Sequence, residues 1–277
     1  MPELFLGGAQ ITTSYGSRNN SSALGPREWQ DIMRIARIQG FSGIDTAPTY
    51  GDSEKTIGEG RWGGKVHTKL DPSLDPAESV AKSALRLGRQ RPDALYLFHN
   101  PPSHRRQLLE LEEVAKSLRD SVGMLGASVY ELSEAETFQN WENIDIIQFP
   151  ISIFDRRFAA MSEAKQSTSL FGRSALLQGT LANPGDSRNL PPKFRNGLRE
   201  FADLSEQLGQ RPMAVALRWA LAQTWLDGLV LGVNNMDQLT EILAVVQLGP
   251  LNEEEMQVVS AWTPPPWNET DPRKWSP

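Results

Sequence analysis

Four side chains that can move or steer protons fall near the ends of three successive apolar runs. Asp45 and Tyr50 lie in GIDTAPTYGDSE (43–54), Lys69 in KVHTKL (65–70) and His99 in DALYLFH (93–99). A free tyrosine titrates near ~10, too high to give up a proton efficiently at neutral pH. An ammonium beside it favours the phenolate and lowers that value, so Lys69 would make Tyr50 a better acid toward a developing alkoxide. Asp45 would keep Lys69 charged and fixed, and His99 would hydrogen-bond a substrate oxygen and set its direction. The set holds no hydride or nucleophile source, so a bound reductant is implied. Each residue alone also has an ordinary explanation. Asp45 could satisfy loop amides, Tyr50 could be a loop aromatic, Lys69 a solvated charge, and His99 a turn residue ahead of Asn100-Pro101-Pro102. Their coincidence at consecutive strand ends favours chemistry.

The elements that must position them alternate along the chain. Short, near-continuously apolar runs at 4–10, 43–47, 65–70, 93–99, 124–129, 144–150, 170–177 and 228–233 read as strands buried on both faces. Helical patterns occupy 26–40, a short stretch from Ser53, 75–88, 103–118, 131–140, 156–167, 197–208 with 212–223, and 236–247. Pro26 suits a first helical turn, and WQDIMRIARI (29–38) is an amphipathic, core-facing stripe. Eight strand–helix units in ~250 residues predict one (β/α)8 TIM barrel over residues 1–277 rather than a doubly wound sheet. Segment 183–197 reads as a long loop after the seventh strand. The tail 263–277, TPPPWNETDPRKWSP, is too rich in proline to be helical and is expected to lie over the surface. In such a barrel the site sits at the C-terminal strand ends. Neighbouring strands lie ~4.8 Å apart, so Asp45, Tyr50, Lys69 and His99 can converge within ~10 Å. His67 shares the face of Lys69 and is expected to line the barrel interior as a structural residue, and His104 is expected at the surface.

Composition narrows the chemistry. Cysteine is absent, which excludes disulfides, thiol nucleophiles and thiolate metal sites and agrees with a reducing compartment. Three histidines are thin material for a metal centre, and none is expected. A net charge of −6 with mixed signs argues against a nucleic-acid partner. No apolar window reaches the ~18 residues of a membrane span, and the start MPELFLGGAQ lacks a basic leader, so no membrane partner is expected and the cytoplasm is.

GIDTAPTYGDSE, the TKL around Lys69, LYLFH at His99, GASVYE (126–131), DIIQFPISIFDRR (145–157) and LVLGVNNMDQLTEIL (229–243) together resemble the aldo-keto reductases, in the right order over nearly the whole chain. GGAQITTSYG and QFPISIFDRR are most similar to a short bacterial branch. The resemblance implies a barrel that moves hydride from NADPH, with NADH possible, to a small-molecule aldehyde or ketone. It implies Tyr50 as proton donor, Lys69 and Asp45 as its support, and His99 as the substrate-orienting residue. It also implies that Ser128 and Gln148 hold the nicotinamide carboxamide, with Asp45 beside them. Val129 stands where many members carry Asn, and Arg173 where many stack a tyrosine on the nicotinamide. Ser174, Leu176 and Gln178 would border the pyrophosphate, and Gly8, Ala9 and Gln10 the ribose side. At the adenosine end the resemblance points to Gly232, Val233, Asn234, Gln238 and Glu241. The family binds a 2′-phosphate there with Lys or Arg, yet no basic residue occurs between Arg218 and Arg273. The amides and Asn234 or Asn235 could still receive a phosphate, and Arg188, Lys193 or Arg195 could fold over from the long loop. Discrimination for NADPH should therefore be weaker than in typical members. Asn235 or Asp237 could equally just cap the following helix. Tyr15, Trp62, Trp267 and Trp275 are candidate pocket walls. Two other functions stay open: a Schiff-base lyase using Lys69 as nucleophile, and a non-catalytic dinucleotide-binding regulatory barrel.

Overall fold

Parallel pairing closes eight strands into a barrel in chain order, each hydrogen-bonded to its neighbours and the last to the first. A computed structural model describes residues 1–11, 24–97, 105–164, 168–182 and 190–275. The strands are β1 (Glu3–Gly7), β2 (Phe41–Asp45), β3 (Lys65–Lys69), β4 (Ala94–Tyr96), β5 (Met124–Ser128), β6 (Ile146–Pro150), β7 (Ser169–Arg173) and β8 (Gly228–Gly232). Between them run α1 (Pro26–Ile38), α2 (Ser53–Glu59), α3 (Pro76–Leu87), α4 (Arg105–Leu118), α5 (Leu132–Gln139), α6 (Met161–Ala164), α7 (Pro192–Gln207) and α8 (Pro212–Leu221). After β8 come α9 (Met236–Leu248), α10 (Glu253–Ala261) and α11 (Trp267–Thr270). This is the (β/α)8 architecture the alternation predicts, in a single domain.

Local chemistry sets the helix ends. Asp75 accepts from the amides of Ala77 and Glu78 ahead of Pro76, and Gly88 leaves α3 in the left-handed region at φ 63°. Asn235 accepts from Gln238 N at the start of α9. Asn252 and Glu255 form a capping box at α10, a helix absent from the sequence reading although this pair is its signature. Three expectations are corrected. The seventh strand stops at Arg173, and residues 174–182 are turns instead of strand through Leu177. The long loop after β7 ends early, because α7 already begins at Pro192. The proline-rich tail contains α11 and a tight turn at Pro272–Lys274, and Thr270 and Asp271 are buried. Proline at a first helical position is compatible with these short turns.

Two cores result. One lies between strands and helices. A smaller one, Phe5, Ala94, Tyr96, Ile146, Phe171 and Val230, fills the barrel interior. Phe5 and Phe171 meet edge to face at 5.0 Å, and each also packs on the fully buried His67 ring. Gly43 and Gly228 make room for them: a Cβ at either would sit 2.1 Å from the Phe5 or Phe171 ring. His67 is thus interior, as expected, and it closes the barrel beneath the polar mouth.

Candidate active site

Parallel pairing places Asp45 opposite His67, Lys69 opposite Tyr96, and Ser128 opposite Gln148. Polar side chains gather at the C-terminal mouth. Lys69 Nζ donates to Asp45 Oδ2 at 2.9 Å and to the Thr46 carbonyl at 2.9 Å. The side chains are only 2% and 8% exposed, so this is a buried ion pair whose charges depend on each other. Gln148 Nε2 donates to the other Asp45 oxygen at 2.8 Å, and Ser128 Oγ donates to Gln148 Oε1 at 3.1 Å. Behind them the Tyr96 hydroxyl lies 3.1 Å from His67 Nδ1.

Tyr50 reaches this group from a turn. Its amide donates to Ala47 O, Ser53 N donates to Tyr50 O, and Gly51 supplies the left-handed φ of 56° between them. The turn leads into α2, which is pinned from below. Ser53 Oγ donates to Gly8 O at 3.0 Å, and the buried Glu54 accepts from Thr68 Oγ1 at 2.7 Å. The result sets Lys69 Nζ 5.1 Å from the centre of the half-buried Tyr50 ring. Burial is the strongest influence on the Tyr50 phenol and holds it well above the ordinary tyrosine value; Asp45 pushes the same way and Arg173 pulls down. The net direction is opposite to that expected from Lys69 alone. The physical reason is that a phenolate loses water here while the Lys69 charge is already directed at Asp45 and Thr46. His67 is lowered to about 3, by burial first and then by Lys65 and Lys69, and is therefore neutral at physiological pH.

From Tyr50 a cleft runs across the mouth toward the start of α9. Its walls include Gly8, Ala9, Gln10, Asp45, Tyr50 and Arg173. Beyond these come Ser174, Leu176 and Gln178, then Gly232, Asn234, Gln238 and Glu241. The site residues inferred from sequence are thus largely brought together. Gly7, Met213 and Ile242 also wall it: Gly7 and Ile242 lie within the motifs GGAQITTSYG and LVLGVNNMDQLTEIL, whereas no motif marks Met213 and only the fold places α8 there. Gln148 lies one hydrogen bond behind Asp45 and Ser128 two, both fully buried. Val233 is a correction: its side chain is fully buried in the core between strands and helices, because β8 alternation turns it away from the cleft. Trp62 is no pocket wall either, since it packs in the core and donates to Lys65 O at 3.0 Å, at the opposite end of β3. Tyr15, His99, His104 and Arg188 lie outside the described residues. Lys193 is engaged by Glu269 at 3.0 Å, and neither it nor Arg195 walls the cleft.

Arg173 turns sideways. Its guanidinium lies 4.2 Å from the Tyr130 ring centre and donates to Val129 O at 3.2 Å. Arg273 from the tail lies 4.4 Å from the same ring and donates to Glu131 at 2.7 Å. Arg157 also donates to Glu131, at 2.8 Å, and Trp267 lies under Arg157 at 4.2 Å. The tail is thereby tied beside the cleft, and Trp267, expected as a candidate pocket wall, packs on Arg157 and is not among the cleft walls.

The cleft carries marks of a site for an extended polar ligand. Ser174, Leu177 and Gln178 have φ of 64°, 44° and 54°, left-handed values that non-glycine residues adopt at a cost and that gather at functional sites. Gln10 Oε1 and Asn234 Oδ1 are buried acceptors without a protein partner. Gly232 lets the Gln10 side chain lie close, since a Cβ there would meet Gln10 Nε2 at 2.5 Å and push that amide aside.

A parallel barrel with a buried lysine–aspartate pair under a tyrosine at its C-terminal mouth defines an acid–base enzyme scaffold. The chain belongs to the aldo/keto reductase family, whose model matches residues 3–262. It is similar to the aldo-keto reductase YhdN of Bacillus subtilis, 26% identical over 276 residues that cover 83% of this chain and 82% of that one. Among solved structures, the holo form of aldo-keto reductase AKR11C1 from Bacillus halodurans superposes with a TM-score of 0.76 at 21% identity, covering 94% of this chain and 91% of the other. A glycerol dehydrogenase from Gluconobacter oxydans, AKR11B4, follows at 0.70 and 23%, covering 93% and 90%. The chain is therefore a nicotinamide-dependent oxidoreductase of a family that acts on small carbonyl molecules. Among the described residues no helix is long and apolar enough to cross a membrane.

Proposed function

We propose that this chain works in the cytoplasm and reduces the carbonyl of an aldehyde or ketone, using NADPH or NADH held in the cleft. The observation that carries the reading is the Tyr50–Lys69–Asp45 group at one end of a cleft that runs to the N-terminus of α9. The cleft fits a dinucleotide: two orphan acceptors await hydroxyl or amino donors, and the strained turn after β7 borders the middle of the path. When bound, the reduced nicotinamide supplies hydride to the carbonyl carbon. Tyr50 Oη supplies the proton to the carbonyl oxygen as negative charge develops there, and its raised pKa keeps that proton in place until then. Lys69 holds a positive charge beside the ring and stabilises the phenolate left behind. Asp45 fixes Lys69 and, through Gln148 and Ser128, the groups that would orient the carboxamide. His99 orients the carbonyl oxygen.

A Schiff-base role for Lys69 is disfavoured by its burial and by its pairing with Asp45, because a nucleophilic amine must be neutral and reachable. The test is Tyr50→Phe. Turnover of an aldehyde panel falls by about 10²- to 10⁴-fold, the range for losing a general acid. Dinucleotide affinity, read by fluorescence titration, stays within about threefold because uniform binding is untouched. Turnover within about tenfold of wild type would remove Tyr50 from the role.

A further inference from the structure

The adenosine end of the cleft differs from its catalytic end in charge. Among the described residues, Arg173 is the one lysine or arginine on the cleft walls, and it belongs to the catalytic end, against Tyr130. At the other end the wall includes Asn234, Gln238 and Glu241. Arg211 comes near, but it lies 3.7 Å from Glu241 and neutralises that carboxylate instead of adding net positive charge. A second hollow against the first turn of α9 is walled by Glu28, Asp31 and Asp237. Carboxylates thus flank this helix end on both sides.

Two of the amide donors at this helix end are already engaged. Asn234 N donates to Gln238 Oε1 at 2.9 Å, and Gln238 N donates to Asn235 Oδ1 at 2.8 Å. The buried side-chain atom left unsatisfied there is an acceptor, Asn234 Oδ1, which matches a hydroxyl and not a phosphate oxygen. An amide can turn and offer its nitrogen, so charge is the stronger discriminator. A 2′-phosphate carries close to two negative charges near neutral pH; beside Asp237, and with Arg211 held by Glu241, the described residues put no bidentate cation on the wall at this end to offset them.

We propose that the adenosine end of the cleft is built for a ribose with a free 2′-hydroxyl, so that NADH is the dinucleotide this chain takes in preference to NADPH. The inference rests on the cleft being a nicotinamide-dinucleotide site, and the experiment separates the two claims. NADH and NADPH are titrated calorimetrically into the full chain at low and moderate salt. NADH binds at least about tenfold more tightly at low salt, and the gap narrows as salt screens the carboxylates. The variant Asp237→Lys, altered outside the cleft wall, binds NADPH about fivefold more tightly than wild type while NADH affinity stays within about twofold and reports on folding. NADPH binding as tightly as NADH, or an NADPH affinity unmoved in Asp237→Lys, overturns the inference alone. Binding of neither dinucleotide overturns the reading of the cleft and the inference with it.

Discussion

The two ends of the cleft are built on different principles. At the catalytic end the polar groups are tied in series: Lys69 to Asp45 and Thr46, Asp45 to Gln148, Gln148 to Ser128. Strand register fixes these groups, and water is largely excluded. At the adenosine end Gly232 and Asp237 are exposed, and Glu241 retains 48% of its side-chain exposure while touching Arg211. Proton transfer to a developing alkoxide needs oriented charges in a low-dielectric place. Holding the far end of an extended ligand needs only amides and a few surface groups, which admit many solutions. The chemistry is therefore rigid in residue type, and the ligand's far end is free to vary.

Charge changes at the two ends should cost very different amounts. Lys69→Met leaves Asp45 buried without its partner, and the chain loses about 3–5 kcal/mol of unfolding free energy in urea melts. The double variant Lys69→Met with Asp45→Asn recovers part of that loss, because the stranded charge is gone. A loss in Lys69→Met below about 1 kcal/mol would mean the pair behaves as a solvated one.

The floor of the catalytic end contributes a pH dependence. His67 titrates near 3 in the folded chain against an ordinary value of 6.5, so the folded state binds fewer protons than the unfolded state between them. Its contribution is complete above pH 6.5 and declines as pH falls toward 3. The expected loss is about 2 kcal/mol between neutrality and pH 5, at about 1.4 kcal/mol per pH unit below the ordinary value. His67→Gln removes that component of the slope, and denaturation curves at a series of pH values would show it. An unchanged slope would place water or a charge against the His67 ring.

The smallest effect belongs to the adenosine end. Glu241→Gln breaks an exposed contact with Arg211 and changes stability by at most about 1 kcal/mol. A larger loss by thermal melting would show that this end is as tightly built as the other.

Much of this was legible in the sequence because period and chemistry agreed. Asp45, Lys69 and Gln148 sit on short apolar runs whose alternation sends them inward, and β2, β3, β5, β6 and β8 lie within two residues of the runs that predict them. Legibility failed where local composition and backbone diverged. LFGRSALL reads as one strand, yet Ser174 and Leu177 take left-handed conformations that no propensity signals. Val233 follows Gly232 in the motif but alternates into the core. The hold of Arg173 and Arg273 on Tyr130 joins residues far apart in the chain, and only the closed barrel brings them together. The direction of the Tyr50 shift needed the burial of its turn, which neighbouring residue types do not disclose.

The most direct test follows the reacting atoms. An aldehyde is reduced with a dinucleotide deuterated at the transferring position of the nicotinamide, and the alcohol is examined by mass spectrometry and proton NMR. Direct hydride transfer beside Tyr50 predicts one deuterium on the carbinol carbon, with a solvent-derived proton on oxygen. A carbinol carbon carrying hydrogen from solvent, or an aldehyde left unreduced while dinucleotide is bound, would contradict it.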